Sequence, residues 1–328
     1  MSRLDFWHPI MASRDVPRDR PVGVSLDGKR LALFRAGDGR FGALEDKCAH
    51  RRMKLSTGRV DDGRVICPYH GWSFASTGEG ESPSAPKMHA CAASYDCAET
   101  SGVVWVRARE NQQALPTLVK DGWNAFGTVF NRLPAPLQLV IDNFSEIEHT
   151  VTTHPHFGFE PARASEATIV LETTDDSVIA RGYGPAKRPP LGTRLGAGIR
   201  RGDLFHADYT FYFDPPRSIV THWWSDPQTG RERMFKYHVI HYFVPEDEKT
   251  TRMVTFGFLK IGWPMLHWLG PHLGWLLRRR TWETVEEDAV LLGNLAEYLP
   301  GLEGMKLSRF DTILGLTRER LARIYDGV

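Results

Sequence analysis

The 328-residue sequence is short of cysteine, of net charge and of long apolar runs, and each shortage removes a class of function. Four cysteines are too few for the disulfide framework of a small secreted scaffold, and a chain of this length can bury its core without one. With 41 Lys and Arg against 40 Asp and Glu the formal net charge is +1, so no global field draws nucleic acid. The first ten residues place Arg3, Asp5, His8 and Pro9 where an export signal needs continuous apolar sequence, and a reducing cytoplasm is the expectation. Only Ile261 to Leu277 suggests a membrane segment, and it holds three Gly, two Pro and two His. Internal prolines break a spanning helix, so the run reads as an apolar loop and helix over a pocket, with an interfacial anchor ahead of Arg278, Arg279 and Arg280 the lesser alternative.

What is present falls into two parts. Short apolar runs with dense turn punctuation (Val22 to Val24, Leu31 to Phe34, Phe41 to Leu44, Val65-Ile66, Val103 to Val106) indicate a small antiparallel β domain. The pattern pauses around Leu115-Pro116, giving expected domains of 1–116 and 117–328. Leu137 to His154 has the composition of a helix stopped by Pro155. From Ala167 to Phe258, β-branched and aromatic segments return and predict a curved antiparallel sheet. The tail from Trp282 reads as helix, with Val285, Ala289, Leu292, Leu295, Ala296 and Leu299 on one buried face. The fold class is therefore α+β.

The densest chemistry is Cys48-Ala49-His50 followed, after sixteen residues, by Cys67-Pro68-Tyr69-His70. Two thiolates and two imidazoles suit zinc or an iron–sulfur cluster. A zinc finger groups Cys with Cys and His with His, whereas here each loop supplies one of each. That lets both cysteines bind one iron and both histidines the other. The stretches CAHRRM and CPYHGWSF resemble the cluster loops of Rieske non-heme iron oxygenases. Neither loop carries the additional cysteine of the respiratory Rieske proteins. Cys91 and Cys97 lie outside the loops and read as ordinary buried residues. Gly71, Trp72 and Arg51 serve either turn geometry and packing or the cluster's surroundings.

The resemblance implies a second centre. Two histidines and one carboxylate on one face of Fe(II) leave positions open for oxygen. Asn143, Glu146, His149 and His154 are similar to the family pattern N-x-x-D-x-x-H-x-x-x-x-H, with Glu in place of the family's Asp. By itself the histidine pair is a weak signal: a five-residue step on a helix turns about 500°, so both reach one metal only if the helix ends or distorts. For the third ligand, periodicity favours Asp288, which shares the stripe of Val285 and Leu292, over Glu286 and Glu287 on its flanks. The family likewise places its carboxylate in a late helix. In the family the residue at the Glu146 position joins a cluster histidine of one subunit to an iron-ligand histidine of the next, and Asn143 matches an Asn near the iron.

The resemblance further implies a catalytic domain of helix-grip (START-like) form, a head-to-tail homotrimer, and electrons passing from NAD(P)H through a separate ferredoxin or flavin reductase to the [2Fe–2S] cluster and then to the mononuclear Fe(II). It implies that O2 and a small organic substrate meet there. Hydroxylation of an aromatic, heterocyclic or polycyclic molecule comes first, oxidative O- or N-demethylation second and cis-dihydroxylation third; the shorter α-only type goes with monooxygenation. A Rieske electron carrier with a non-catalytic binding domain and a zinc-binding interaction protein are the competing classes. Phe205, His206, Phe211, Tyr212, His222, Trp223, Trp224, His238 and His241 are pocket candidates, of which strand alternation sends about half outward.

Overall fold

Apolar runs of alternating pattern, cut by Gly, Asp and Pro turns, become strands through most of the chain. A computed structural model describes residues 2–109, 113–118, 120–262, 269–299 and 301–325. It separates into one unit reaching Leu118 and including Val244–Glu248, and a second formed by Val119–Phe243 and Lys249–Val328.

The first unit contains β1 (His8–Ala12), β2 (Val22–Leu26), β3 (Lys29–Arg35), β4 (Phe41–Glu45), β5 (Arg59–Asp61), β6 (Arg64–Ile66), β7 (Ser73–Phe74), β8 (Glu79–Glu81), β9 (Ala90–Cys91), β10 (Ser94–Thr100) and β11 (Val103–Arg107). They form a six-stranded sheet, β1-β11-β10-β4-β3-β2, and a five-stranded sheet, β5-β6-β7-β8-β9. Two hairpins turn on Asp-Gly pairs with both residues left-handed: Asp27-Gly28 (φ 47° and 74°) and Asp62-Gly63 (φ 46° and 68°). This turn matches the twist of the strands it joins. The second hairpin, β5 to β6, leads directly to Cys67.

The second unit contains β12 (Asn124–Leu133), β13 (Thr168–Thr173), β14 (Ser177–Pro185), β15 (Leu204–Phe213), β16 (Pro216–Ser225), β17 (Phe235–Asp247) and β18 (Thr250–Ile261). Its helices are α1 (Leu137–Ser145), α2 (Leu191–Ala197), α3 (Leu269–Gly293) and α4 (Thr312–Tyr325). The strands make one seven-stranded antiparallel sheet ordered β12-β18-β17-β16-β15-β14-β13. On β15 and β16 burial alternates residue by residue, so Tyr209, Val220, His222 and Trp224 are turned to one buried face. The long α3 packs on β12 and β18, and α1 packs against α3 and α4.

Two expected helix limits are corrected. The helix from Leu137 stops at Ser145, not Pro155: the Glu146 N–H makes the last helical bond, to the Asp142 carbonyl at 3.2 Å, and Glu146 itself turns extended (φ −86°, ψ 143°) as its side chain accepts from the N–H groups of the next turn. A separate 3-10 turn, Glu148–Val151, follows. The late helix starts at Leu269 and ends at Gly293, where the Asn294 N–H donates to the Leu291 carbonyl (3.0 Å) and its side-chain amide to the Val290 carbonyl (2.6 Å). Leu295, expected on its buried face, is therefore 46% exposed. Within the apolar run, 263–268 lie outside the described residues, and its last part is the opening of α3. No described helix is long and apolar enough to cross a membrane.

A buried ion pair fixes α1 to α4: Arg318 Nε donates to both Asp142 oxygens (3.1 and 3.3 Å), and Gln138 Nε2 donates to Oδ1 at 3.0 Å. Burial pushes the Asp142 carboxyl up, and the guanidinium and amide counter that. Arg318→Met strands the carboxylate and should cost about 3–5 kcal/mol in urea unfolding, whereas Arg318→Met with Asp142→Leu should recover most of it. Equal losses in the two variants would show that the pair does not fasten α1.

Candidate metal centres and the cavity beside them

The two Cys/His loops of the first unit are built alike. Cys48 follows β4, and Cys67 lies between β6 and β7. In each loop the cysteine N–H donates to the carbonyl five residues on, Cys48 to Met53 and Cys67 to Trp72, both at 2.8 Å. In each the cysteine carbonyl accepts from the N–H four residues on, Arg52 at 2.9 Å and Gly71 at 3.0 Å. Closing this turn requires a left-handed residue at the fourth position: Gly71 has φ 73° and Arg52, without a glycine's freedom, φ 60°. Cys48 and Cys67 are buried in the core of the unit with Trp72 and Phe74, whereas His50 and His70 are exposed, their ring centroids 4.5 Å apart. His50 also stacks on Trp72 at 4.9 Å and 5°. Burial pushes the Cys48 thiol up, and the His50 N–H directed at it acts the other way. Thiols paired inside and imidazoles paired outside are what a two-iron cluster needs when one iron is held by two cysteines and the other by two histidines.

In the second unit, His149, His154 and Asp288 offer three ligand atoms within 4.8 Å of one another, the one such group among the described residues. The Nε2 atoms of His149 and His154 each lie 3.5 Å from Asp288 Oδ1. His149 comes from the 3-10 turn after α1, His154 from the irregular segment beyond it, and Asp288 from the buried stripe of α3, 1% exposed. The early stop of α1 resolves the five-residue spacing, since the two histidines never share a helix.

Each imidazole is held from behind. Glu146 Oε1 meets His149 Nδ1 at 2.6 Å, and Glu287 Oε2 meets His154 Nδ1 at 2.8 Å. Both contacts leave Nε2 without a proton and pointed at the common centre when a metal binds. Glu146 Oε2 also accepts the N–H groups of Glu148 (2.6 Å) and His149 (3.1 Å), and Asn143 Nδ2 donates to Asp288 Oδ1 at 3.1 Å. Burial pulls the His149 imidazole down, but Glu146 and Asp288 outweigh it and leave it raised. Two imidazoles and one buried carboxylate, with no lysine or arginine among the described residues salt-bridged to Asp288, fit a divalent ion better than a proton.

The triad opens into a cavity of about 460 Å³ walled mainly by Phe, Val, Leu, Tyr and Trp side chains. The expected pocket residues divide by strand face. His222, Trp224 and His241 line it, whereas His206 and Trp223 stack on each other across the opposite face at 4.8 Å. Leu273, Leu276 and Leu277 of α3 form part of its wall. Burial pushes both His222 and His241 down to about 3, so these rings are neutral at ordinary pH. Sequence reasoning misses Glu287 as the His154 partner: periodicity puts Glu287 on the helix flank, and the flank is what faces His154.

One unit with paired Cys/His loops and another with a two-histidine, one-carboxylate triad together define the architecture of a Rieske non-heme iron oxygenase. Two family models agree: the Rieske [2Fe-2S] domain matches residues 6–98, and the vanillate O-demethylase oxygenase C-terminal domain matches residues 133–317. The chain belongs to the Rieske oxygenases with this vanillate O-demethylase type of C-terminal domain. Protein TIC 55 of Arabidopsis thaliana is 30% identical over 52% of the chain and 34% of its own length. The vanillate O-demethylase oxygenase subunit of Pseudomonas sp. (strain HR199 / DSM 7063) is 27% identical over 54% and 52%. The matched part thus spans a third to a half of these relatives. The crystal structure of dicamba monooxygenase bound to 3,6 dichlorosalicylic acid superposes over 98% of both chains with a TM-score of 0.75 at 18% identity, which establishes a common fold. The Rieske domain implies a [2Fe–2S] cluster, and the family uses a mononuclear iron.

Asp288→Ala should lower bound iron from about three to about two per chain and leave the cluster's visible absorption intact. Unchanged iron content would remove Asp288 from the ligand set.

Proposed function

We propose that this chain is the terminal component of a monooxygenase that uses O2 and reductase-supplied electrons to hydroxylate a small organic molecule. The observation that carries the reading is the position of His149, His154 and Asp288 in the wall of a large apolar cavity, with both imidazoles clamped from behind. On this reading Cys48, His50, Cys67 and His70 hold the [2Fe–2S] cluster and the triad holds Fe(II). When bound, the cluster stores single electrons and the Fe(II) provides the site at which O2 is activated.

The remaining work belongs to side chains. Glu146 and Glu287 fix the tautomers of His149 and His154, so that neither ring has to turn during turnover. Asn143 donates to Asp288 Oδ1 and directs that carboxylate, as an outer neighbour of the metal. The apolar wall excludes water around the substrate. Oxidative demethylation is the second reading, favoured by the match to the vanillate O-demethylase C-terminal domain; it is the same hydroxylation, directed at a methyl carbon on O or N.

The domain division proposed is 1–116 for the Rieske part and 117–328 for the catalytic part. A head-to-tail homotrimer is also part of the proposal, with Glu146 joining His149 to a cluster histidine of a neighbouring copy. The electron donor is a ferredoxin or flavin reductase drawing on NAD(P)H. A cytoplasmic setting fits four cysteines of which none is paired in a disulfide; of the two outside the cluster loops, expected to be buried, Cys91 is exposed and Cys97 half-buried.

With a generic reductase, NAD(P)H and a panel of ring compounds, the chain should consume O2 in step with a product that carries one added oxygen or has lost a methyl group. Glu146→Gln should keep both metals and slow turnover by about 10- to 100-fold, the range for loss of a partner to a metal-bound histidine. A normal rate in that variant would show that Glu146 neither clamps nor bridges.

A further inference from the structure

Three histidines of the cavity wall stand outside the metal triad: His156, half-buried near Arg280 and Glu287, and two on the sheet that are nearly buried. His222 on β16 and His241 on β17 share the inward face of the sheet but stand at different heights: His222 pairs in register with Tyr237, and His241 with Ser218. Four residues along a strand separate these levels, with Val220 and Val239 between them. Each ring is fixed through one nitrogen, His222 Nε2 by the Tyr209 hydroxyl at 3.0 Å and His241 Nδ1 by the Thr255 hydroxyl at 2.9 Å. The other nitrogen of each, Nδ1 of His222 and Nε2 of His241, has no hydrogen-bond partner among the described residues. Two nearly buried rings, locked in orientation and each holding one uncommitted polar atom beside an apolar cavity, form a pair of polar anchors in an apolar wall.

The charges around the site restrict what that ligand can be. Arg280 is the one lysine or arginine among the described cavity-lining residues, and its guanidinium is engaged by Glu283 at 2.7 Å. Three carboxylates stand at the metal position, Asp288 of the triad and the clamps Glu146 and Glu287, while Lys187 Nζ donates to the Thr150 and His154 carbonyls at 2.8 and 2.7 Å; with a divalent ion the three negative and three positive charges leave no net positive field. An anionic substrate would enter a field that is not positive and would find only uncharged anchors, leaving a buried charge without a partner. Size gives the second restriction. At about 460 Å³ the cavity falls in the range that encloses most of a drug-sized ligand, so a multi-ring molecule fills it better than a single ring does.

We infer that His222 and His241 are the substrate's hydrogen-bonding anchors, and that the substrate is an uncharged, largely apolar polycyclic molecule carrying a carbonyl or hydroxyl oxygen. This rests on the oxygenase reading for the word substrate; the binding site itself does not. The two anchors lie at different levels of one sheet face, so a molecule held at one end by either of them lies along the wall between them.

Equilibrium dialysis of the metal-loaded, oxidised protein against fluorenone, fluorene and fluorenone carboxylate tests this without turnover. Fluorenone should bind about 10-fold more tightly than fluorene and about 100-fold more tightly than the carboxylate. His222→Phe with His241→Phe should abolish the preference of fluorenone over fluorene while fluorene binding persists, which also reports that the cavity remains folded. His222→Asn and His241→Gln, whose amides can occupy the places of the uncommitted nitrogens, should restore it. Carboxylate binding as tight as that of the ketone, or an unaltered ketone preference in the double Phe variant, would overturn the inference. If the ketone binds as expected yet no neutral polycycle is oxidised with reductase and O2, the oxygenase reading fails and the site stands.

Discussion

The candidate active site depends on one type of contact, a carboxylate gripping the back of each imidazole. Glu146 on His149 and Glu287 on His154 set which nitrogen carries the proton and which faces Asp288. Without them the rings could rotate about their Cβ–Cγ bonds, and three donors within 4.8 Å would be a passing arrangement. The larger fold serves this pair of contacts. Glu287 and Asp288 are neighbours on α3, so one helix supplies both the candidate ligand and a clamp, and its docking against β12 and β18 fixes both at once. Glu146 reaches His149 only because α1 ends one residue earlier, and α1 is fastened in turn by Asp142 and Arg318.

The parts of this design legible in the sequence are those written in local spacing or in one simple period. Cys48, His50, Cys67 and His70 form two short loops, and loop chemistry that depends on neighbours a few residues apart survives in a linear reading. Asp288 is separable from Glu286 and Glu287 because a polar residue on the apolar stripe of a helix needs a buried partner, and the structure places it there at 1% exposure. What stays illegible needs tertiary information. The left-handed Arg52 mirrors Gly71 but carries no compositional mark. The end of α1 at Ser145 is set by Glu146 capping the next turn with its own side chain, a contact that overrides the expected stop at Pro155. Glu287 faces His154 across 133 residues of chain.

Strand alternation explains the intermediate case. A period of two states that His222 and Trp223 point to opposite faces but not which face meets the cavity. The sheet decides it: His222 and Trp224 turn inward beside Tyr209, and Trp223 packs on His206 outside. The same choice puts Val239 and His241 on the cavity side of β17, so one binary decision, made by which face α3 covers, fixes the character of the whole wall.

The replacement of the family's Asp by Glu146 has a physical reading in hydrogen-bond capacity. A carboxylate offers about four acceptor positions. Here the Glu148 N–H, the His149 N–H and His149 Nδ1 use three. The extra methylene lets the carboxylate curl back onto the backbone just past its own residue, so it caps the 3-10 turn and clamps the ring together. An acceptor tied down this way is better fixed than a shorter side chain with one contact, and it keeps one position open.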